Sequence, residues 1–234
     1  MALETTWREV DGRRVRERVG GVPDAPPLVL VHGLGVTGRY LVPVAERLAA
    51  AYRVHVPDLP DEVADVPGRR RALAAWMDAA EIARAPLLAN SLGCQIVVDL
   101  AAAEPERVEA LVLVGPTVDP RARTVRRQLA RLLATAPAEP LALDALVVAE
   151  YASHPLRTFR AARGMVEDRI EAKLPLLRCP VLVVRGERDR IVPQAWAEEA
   201  ARLAGGRLEV LAGAHALNFA RPDELARVTL RFLR

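Results

Sequence analysis

Cysteine, lysine and aromatic side chains are scarce in this 234-residue chain, and each shortage narrows what the molecule can be. The two cysteines, Cys94 and Cys179, are too few for a disulfide framework and lack metal-ligand spacing, so both read as buried apolar fillers. Lys173 is the only lysine, and the calculated pI of about 9.3 with a net charge of +3 therefore reflects arginine, interspersed with acids along most of the chain. No zinc-finger, RNA-binding or helix-turn-helix signature accompanies that charge, and no nucleic-acid partner is expected. No apolar run is long enough to cross a bilayer. The first residues, Met1 to Glu9, lack the apolar core and small-residue cleavage site of a secretory signal, which predicts no membrane span and a cytoplasmic location.

What is present suits a soluble enzyme-sized domain. Hydrophobic residues make up 51% and charged residues 27% of the sequence, and the length fits one α/β domain with a modest insertion. Thr6–Val10 and Arg13–Val19 flank Asp11-Gly12, the signature of a two-residue hairpin. Short apolar runs at Leu28–Val31, Arg53–Val56, Pro86–Ala89 and Ala110–Val114 read as strands. They alternate with helical periods near 40–51, 69–83 and 95–103. Such alternation predicts parallel strands joined by helical crossovers. From Thr117 to Leu174 the strand signal stops, and three helical stretches follow near 124–136, 141–151 and 156–171. Alternation resumes with strands at 180–184 and 207–211 and helices at 194–204 and 222–233. No internal repeat or low-complexity linker interrupts this order.

Chemistry concentrates where an apolar run meets a helical one, at Leu87-Leu88-Ala89-Asn90-Ser91-Leu92-Gly93-Cys94. A strand passing straight into a helix needs a very tight turn, with small residues two positions either side of the apex; here they are Ala89 and Gly93. A serine at a helix start is also an ordinary cap. As a nucleophile it needs a base, and the chain holds only four histidines: His32, His55, His154 and His215. His215 lies in the loop between the last predicted strand and the last helix, where it can reach over the sheet edge. His55 reads as a strand position, and His154 has no assigned role.

The stretch around Ser91 resembles the nucleophile elbow of α/β-hydrolases, usually G-x-S-x-G, with alanine in place of the first glycine. The resemblance runs from about Leu28 to the C-terminus. It implies an α/β-hydrolase fold: a mostly parallel sheet with helices on both faces, formed by residues 1–116 and 175–234. A short helical cap, 117–174, is inserted before the strand that precedes the catalytic acid. It further implies that Ser91 is the nucleophile, His215 the general base and Asp189 the orienting acid, since Gly186-Glu187-Arg188-Asp189 follows a strand and lies between nucleophile and base in chain order. Glu187 is a nearby decoy, and Asp119 is a rival acid because some relatives place the acid after the preceding strand. His32-Gly33-Leu34-Gly35 resembles the H-G-x-G oxyanion loop, which assigns the oxyanion donors to the N–H groups of Leu34 and Leu92. His32 would hold this loop by hydrogen bonds.

The expected activity is cleavage of a small or medium carboxylic ester or thioester through an acyl-enzyme, with a small-molecule substrate and no metal or organic cofactor. Asn90–Gly93 and Asp189–Pro193 are also similar to carbon–carbon bond hydrolases of ring-fission products, although Ala216 stands where those enzymes usually carry tryptophan. A serine at the elbow argues against haloalkane dehalogenases, which use aspartate. A ligand-binding module on the same fold is the third reading. Leu129, Leu132, Leu133, Leu146, Tyr151, Phe159 and Met165 are candidates for an apolar pocket, though the same spacing serves helix packing. Two arginine runs, Arg121, Arg123, Arg126, Arg127 and Arg131, then Arg157, Arg160 and Arg163, read either as a solvated face or as a source of one pairing arginine for a substrate carboxylate. Oligomeric state is not legible.

Overall fold

Asp11 and Gly12, at φ values of 50° and 74°, turn β1 (Glu4–Val10) back onto β2 (Arg13–Gly20) as the Asp-Gly pair predicts. In the computed structural model, which describes residues 2–60 and 62–234, this hairpin forms one edge of an eight-stranded sheet. The strand order is β1-β2-β4-β3-β5-β6-β7-β8. Here β3 is Pro27–Val31, β4 Arg53–Pro57, β5 Ala85–Asn90, β6 Val108–Val114, β7 Val181–Gly186 and β8 Arg207–Leu211. β2 runs antiparallel to both of its neighbours; every pairing from β4 through β8 is parallel.

The all-apolar central strands are explained by what covers them. Val29, Val31, Leu87, Ala89, Leu111 and Leu113 point to one face, under α2 (Val66–Ala79), α3 (Leu92–Ala103) and α8 (Gln194–Leu203). Leu28, Leu30, Leu88, Val112 and Val114 point to the other, under α1 (Val42–Leu48), the short α9 (Leu217–Ala220) and α10 (Pro222–Leu233). A side-chain period of two puts alternate residues on opposite faces, so a strand buried on both must be apolar throughout. Each such Leu or Val contributes about 1.5–3 kcal/mol of burial.

Between β6 and β7 lie α4 (Val125–Thr135), α5 (Leu141–Ser153), α6 (Pro155–Glu167) and α7 (Ile170–Lys173). Thr124 caps α4 by accepting the Arg127 N–H. Three helix boundaries differ from the sequence reading. The helical period of 40–51 divides into a 3₁₀ turn at Gly38–Leu41 and α1, whose start Pro43 fixes. Helix α2 begins at Val66 rather than Arg69, because the Asp65 side chain accepts the Gly68 N–H at 2.7 Å and Pro67 fits the first turn. The stretch of 156–171 is broken after Glu167, where Asp168 turns extended and is held by Lys173 and Arg123. Among the described residues no helix is long and apolar enough to cross a membrane.

Candidate active site

β5 ends at Asn90, and Ser91 takes φ 58° and ψ −122° before α3 begins at Leu92. Its N–H is anchored to the Val114 carbonyl at 3.0 Å. A serine in that conformation is strained, and the side chain is half-buried at the end of the strand. Gly93 is sterically compulsory, because a Cβ there would stand 2.5 Å from the Val31 oxygen and 2.8 Å from that of His32. Ala89 occupies an ordinary buried strand position, paired with Val31 and Leu113. Only one of the two small positions therefore needs glycine, which accounts for the departure from G-x-S-x-G.

His215 stands on the loop after β8, with its ring against Gly115, where φ is +57° and an added Cβ would lie 2.8 Å from Nδ1. Nδ1 meets Asp189 Oδ2 at 2.7 Å. The carboxylate is an acceptor, so Nδ1 carries the proton and Nε2 is left with its lone pair in the neutral ring. Nε2 is buried without a partner among the described residues. Asp189 is itself held: its Oδ1 accepts the N–H groups of Ile191 and Val192 at 2.8 and 3.0 Å. Burial opposes a charge on His215, but Asp189 and Glu139 outweigh it and raise the pKa above the ordinary imidazole value. Glu187 is exposed and its side chain plays no part in this geometry.

Asp119 is engaged elsewhere. Although burial works against its charge, Arg131 at 2.8 Å and the Arg121 N–H at 3.0 Å hold its carboxyl below the usual range. Arg131 also donates to the Ile191 carbonyl, so Asp119 and Arg131 tie the inserted helices to the loop carrying Asp189.

The loop after β3 is held from two sides. His32 Nε2 accepts the Leu59 N–H at 2.9 Å, and Nδ1 then donates to the Gly33 carbonyl at 3.0 Å. The Gly33 N–H is taken by the Tyr40 hydroxyl at 2.8 Å, which in turn donates to Asn90 Oδ1 at 2.9 Å. Among the described residues, no acceptor of this chain takes the N–H of Leu34 or of Leu92. Thr37 closes the loop onto the inserted segment, giving its N–H and hydroxyl to the two oxygens of Glu150 at 2.7 and 2.9 Å.

Gly33, Leu34, Ser91 and His215 line one cavity of about 400 Å³. Its other walls are largely apolar. Leu129, Leu132, Tyr151, Phe159 and Met165 contribute from the inserted helices, whereas Leu133 is exposed and Leu146 packs toward the sheet. None of the arginines of the two runs lines it. Arg121 reaches Glu199, Arg123 reaches Glu171, Arg157 pairs with Glu62 and Arg163 with Glu167. The expectation that one of them meets a substrate carboxylate is thus corrected: these side chains are spent on the outer surface and on fastening the insertion. The carboxylates that line the cavity are Glu139 and Asp144. No group of three or more metal-ligating side chains occurs among the described residues.

Four contributors had no role in the sequence reading. Arg185, buried near the end of β7, donates to the carbonyls of Val192, Glu187 and Asp189 and to Gln194, so one guanidinium shapes the whole acid loop. A charged residue within the apolar run 180–184 and its continuation was the available signal. Asn90 joins the Val114 and His215 carbonyls to Tyr40; the motif Asn90–Gly93 gave Asn90 no role, and nothing local marks Tyr40. Glu139 gives one oxygen to the N–H groups of both His215 and Ala216.

Comparison with known proteins agrees with this architecture. Residues 28–228 match the model of the alpha/beta hydrolase family. A pimeloyl-[acyl-carrier protein] methyl ester esterase of Xanthomonas oryzae is 31% identical, over 89% of this chain and 95% of its own. A protein of Rhizobium rhizogenes, provisionally named carbamate hydrolase RutD, is 30% identical over 91% and 94%. The crystal structure of an enol-lactonase from Burkholderia xenovorans superposes with a TM-score of 0.79 at 23% identity, covering 97% of this chain and 99% of that one. The sheet, the match over residues 28–228 and these relatives lead to one conclusion: the chain belongs to the alpha/beta hydrolase family.

Proposed function

We propose that the protein is a serine hydrolase that cleaves an uncharged small or medium carboxylic ester through an acyl-enzyme, with residues 117–174 acting as a cap over the pocket. The observation that carries this reading is the His215–Asp189 pair at 2.7 Å, whose unpartnered Nε2 belongs to the same cavity wall as Ser91. In the reaction His215 Nε2 takes the Ser91 hydroxyl proton while Oγ bonds to the ester carbonyl carbon. The oxyanion is held by the N–H groups of Leu34 and Leu92, which the chain leaves without acceptors, each worth about 3 kcal/mol by analogy with known oxyanion donors. Collapse breaks the bond to the alcohol oxygen, which leaves with the proton from His215. Water, deprotonated by the same imidazole, then attacks the acyl carbon; the bond to Ser91 Oγ breaks, His215 returns the proton to that oxygen, and the carboxylic acid is released. No cofactor enters this sequence.

An uncharged acyl chain is favoured because the cavity is apolar apart from a few polar groups, and its two carboxylates face no cation among the described lining residues. A ring-fission acid, the substrate of the carbon–carbon bond alternative, would bring a third carboxylate into that space. The ester reading also agrees with the name of the Xanthomonas relative, a methyl ester esterase. Treatment with a fluorophosphonate, followed by peptide mass spectrometry, is expected to place the adduct on Ser91. Labelling of another residue overturns the assignment. Ester turnover that survives in Ser91→Ala at the wild-type rate does the same, while its loss rules out a purely ligand-binding role.

A further inference from the structure

Among the described residues, one side chain of the inserted segment hydrogen-bonds to the main chain of the His215 loop. Glu139 sits in the link between α4 and α5, flanked by Ala138 and Pro140. Its Oε1 accepts the backbone N–H of His215 at 2.6 Å and that of Ala216 at 2.8 Å. Its Oε2 is buried and has no partner in the chain, and the residue lines the cavity together with Ser91 and His215.

We propose that Glu139 is a positioning residue that holds the His215 loop from the cap side and, through its charge, favours the imidazolium formed when Ser91 gives up its proton. The proposal rests on the roles of Ser91, His215 and Asp189 given above. Two carboxylates then act on one histidine from opposite parts of the chain. Asp189, from the loop after β7, engages the ring; Glu139, from the insertion, engages the main chain beside it.

A purely mechanical tie does not need this chemistry. A main-chain carbonyl or an asparagine would accept the same two N–H groups, whereas a buried carboxylate with a bare oxygen costs folding energy. Burial raises the Glu139 carboxyl pKa despite the two N–H donors and the proximity of His215. Tolerating that cost is reasonable if the negative charge is wanted where a positive charge appears once per half-reaction. The other charged groups around His215 do not substitute for it. Arg185 lies behind Asp189, on its carbonyl; Arg131 binds the Ile191 carbonyl and Asp119; Asp144 lines the cavity but does not hydrogen-bond to the imidazole. Since the fold leaves Glu139 on the insertion, the base is complete only while the cap segment sits against the core.

The test is the pH dependence of fluorophosphonate inactivation in the wild type, Glu139→Gln, Glu139→Ala and, as a control for exposed cap charge, Glu167→Gln. The glutamine amide oxygen still accepts both N–H groups but carries no charge. Glu139→Gln is expected to move the acid limb to lower pH by about half a unit or more, because an imidazole that has lost a nearby anion is harder to protonate. Glu139→Ala is expected to lose, in addition, roughly tenfold in the rate on the alkaline plateau, while Glu167→Gln keeps the wild-type limb. A Glu139→Gln limb that coincides with the wild type overturns the proposal, whether or not the alanine variant folds. Failure of the wild type to label at Ser91, or a limb that persists in His215→Ala, overturns instead the underlying triad and with it this role for Glu139. The two failures are therefore told apart by the wild type and His215→Ala alone.

Discussion

The Tyr40 hydroxyl and the Asn90 side chain meet at 2.9 Å, fifty positions apart in sequence, and through that bond the residue before Ser91 is fastened to the loop that carries Gly33 and Leu34. The hydroxyl has both its roles filled, accepting from Gly33 and donating to Asn90. Tyr40→Phe should leave the Gly33 N–H and Asn90 Oδ1 buried without partners, at a cost of about 1–3 kcal/mol in stability. A fall of roughly tenfold in kcat with little change in KM is expected, because the misplaced loop aligns Leu34 poorly for an oxyanion that exists only after attack. Thermal unfolding and steady-state hydrolysis of a nitrophenyl ester measure the two effects.

The rival acids can be separated by one pair of variants. Asp189→Asn should reduce kcat by about 10³-fold or more, since an amide at that place disturbs both the tautomer and the charge balance of His215. Asp119→Asn loosens the contact with Arg131 and should cost less than about tenfold. The reverse ranking in ester turnover would transfer the role to Asp119.

At the elbow, the two small residues should answer differently to substitution. Gly93→Ala forces a methyl against the Val31 oxygen and is expected to lower both stability and labelling of Ser91 sharply. Ala89→Gly, which restores the usual family pattern, should only lose about 1 kcal/mol through backbone freedom and a missing methyl, with turnover within about twofold of wild type. Denaturant midpoints and the rate of fluorophosphonate labelling distinguish these outcomes.

Charge selectivity follows from the cavity lining. For esters of equal length, a terminal carboxylate on the acyl chain should lower kcat/KM by roughly 100-fold relative to a methyl end, because Glu139 and Asp144 repel it and no arginine is at hand. Alanine at Arg126 or Arg160 should leave that ratio unchanged. Equal rates on the two esters would overturn the uncharged-substrate reading.

Far from the cavity, Glu17 sets an acid limit on stability. It is fully buried, takes a two-point contact from Arg8 and accepts the Trp76 indole N–H at 2.8 Å. Burial alone would raise its carboxyl pKa, but His55 and Arg8 hold it down to about 2. A depressed carboxylate stabilises the fold above its unfolded pKa and loses that contribution as pH falls toward the folded value. Glu17→Gln should therefore lower stability by about 2 kcal/mol at neutral pH, and its melting temperature should converge on that of the wild type as pH falls from 4.5 to about 2.

How far the sequence could be read depended on whether a signal was local. The Asp11-Gly12 turn, the apolar central strands and the short motifs around Ser91, Asp189 and His215 each lie within a few consecutive residues; the structure sets Asp189 against His215 and puts Ser91 and His215 in the lining of one cavity. Helix starts were misplaced where proline and glycine occupied a first turn, as at Pro67 and Gly68, because breakers inside a helix are acceptable N-terminal residues. Glu139, Tyr40 and Asn90 were invisible for another reason. Their partners are 76, seven and 50 residues distant, and only the closed fold supplies them. The arginine runs left a solvated face and a substrate-pairing arginine both open, and the contacts fit the first: dense in sequence, the side chains are dispersed by helix geometry onto Glu199, Glu171, Glu62 and Glu167.

The two bonds from Thr37 to Glu150 bear on motion. They pin α5, part of the roof over the cavity, to the loop beside Leu34. Parting α5 from that loop costs two charge-assisted hydrogen bonds made to one carboxylate, so the two segments are expected to move together rather than independently.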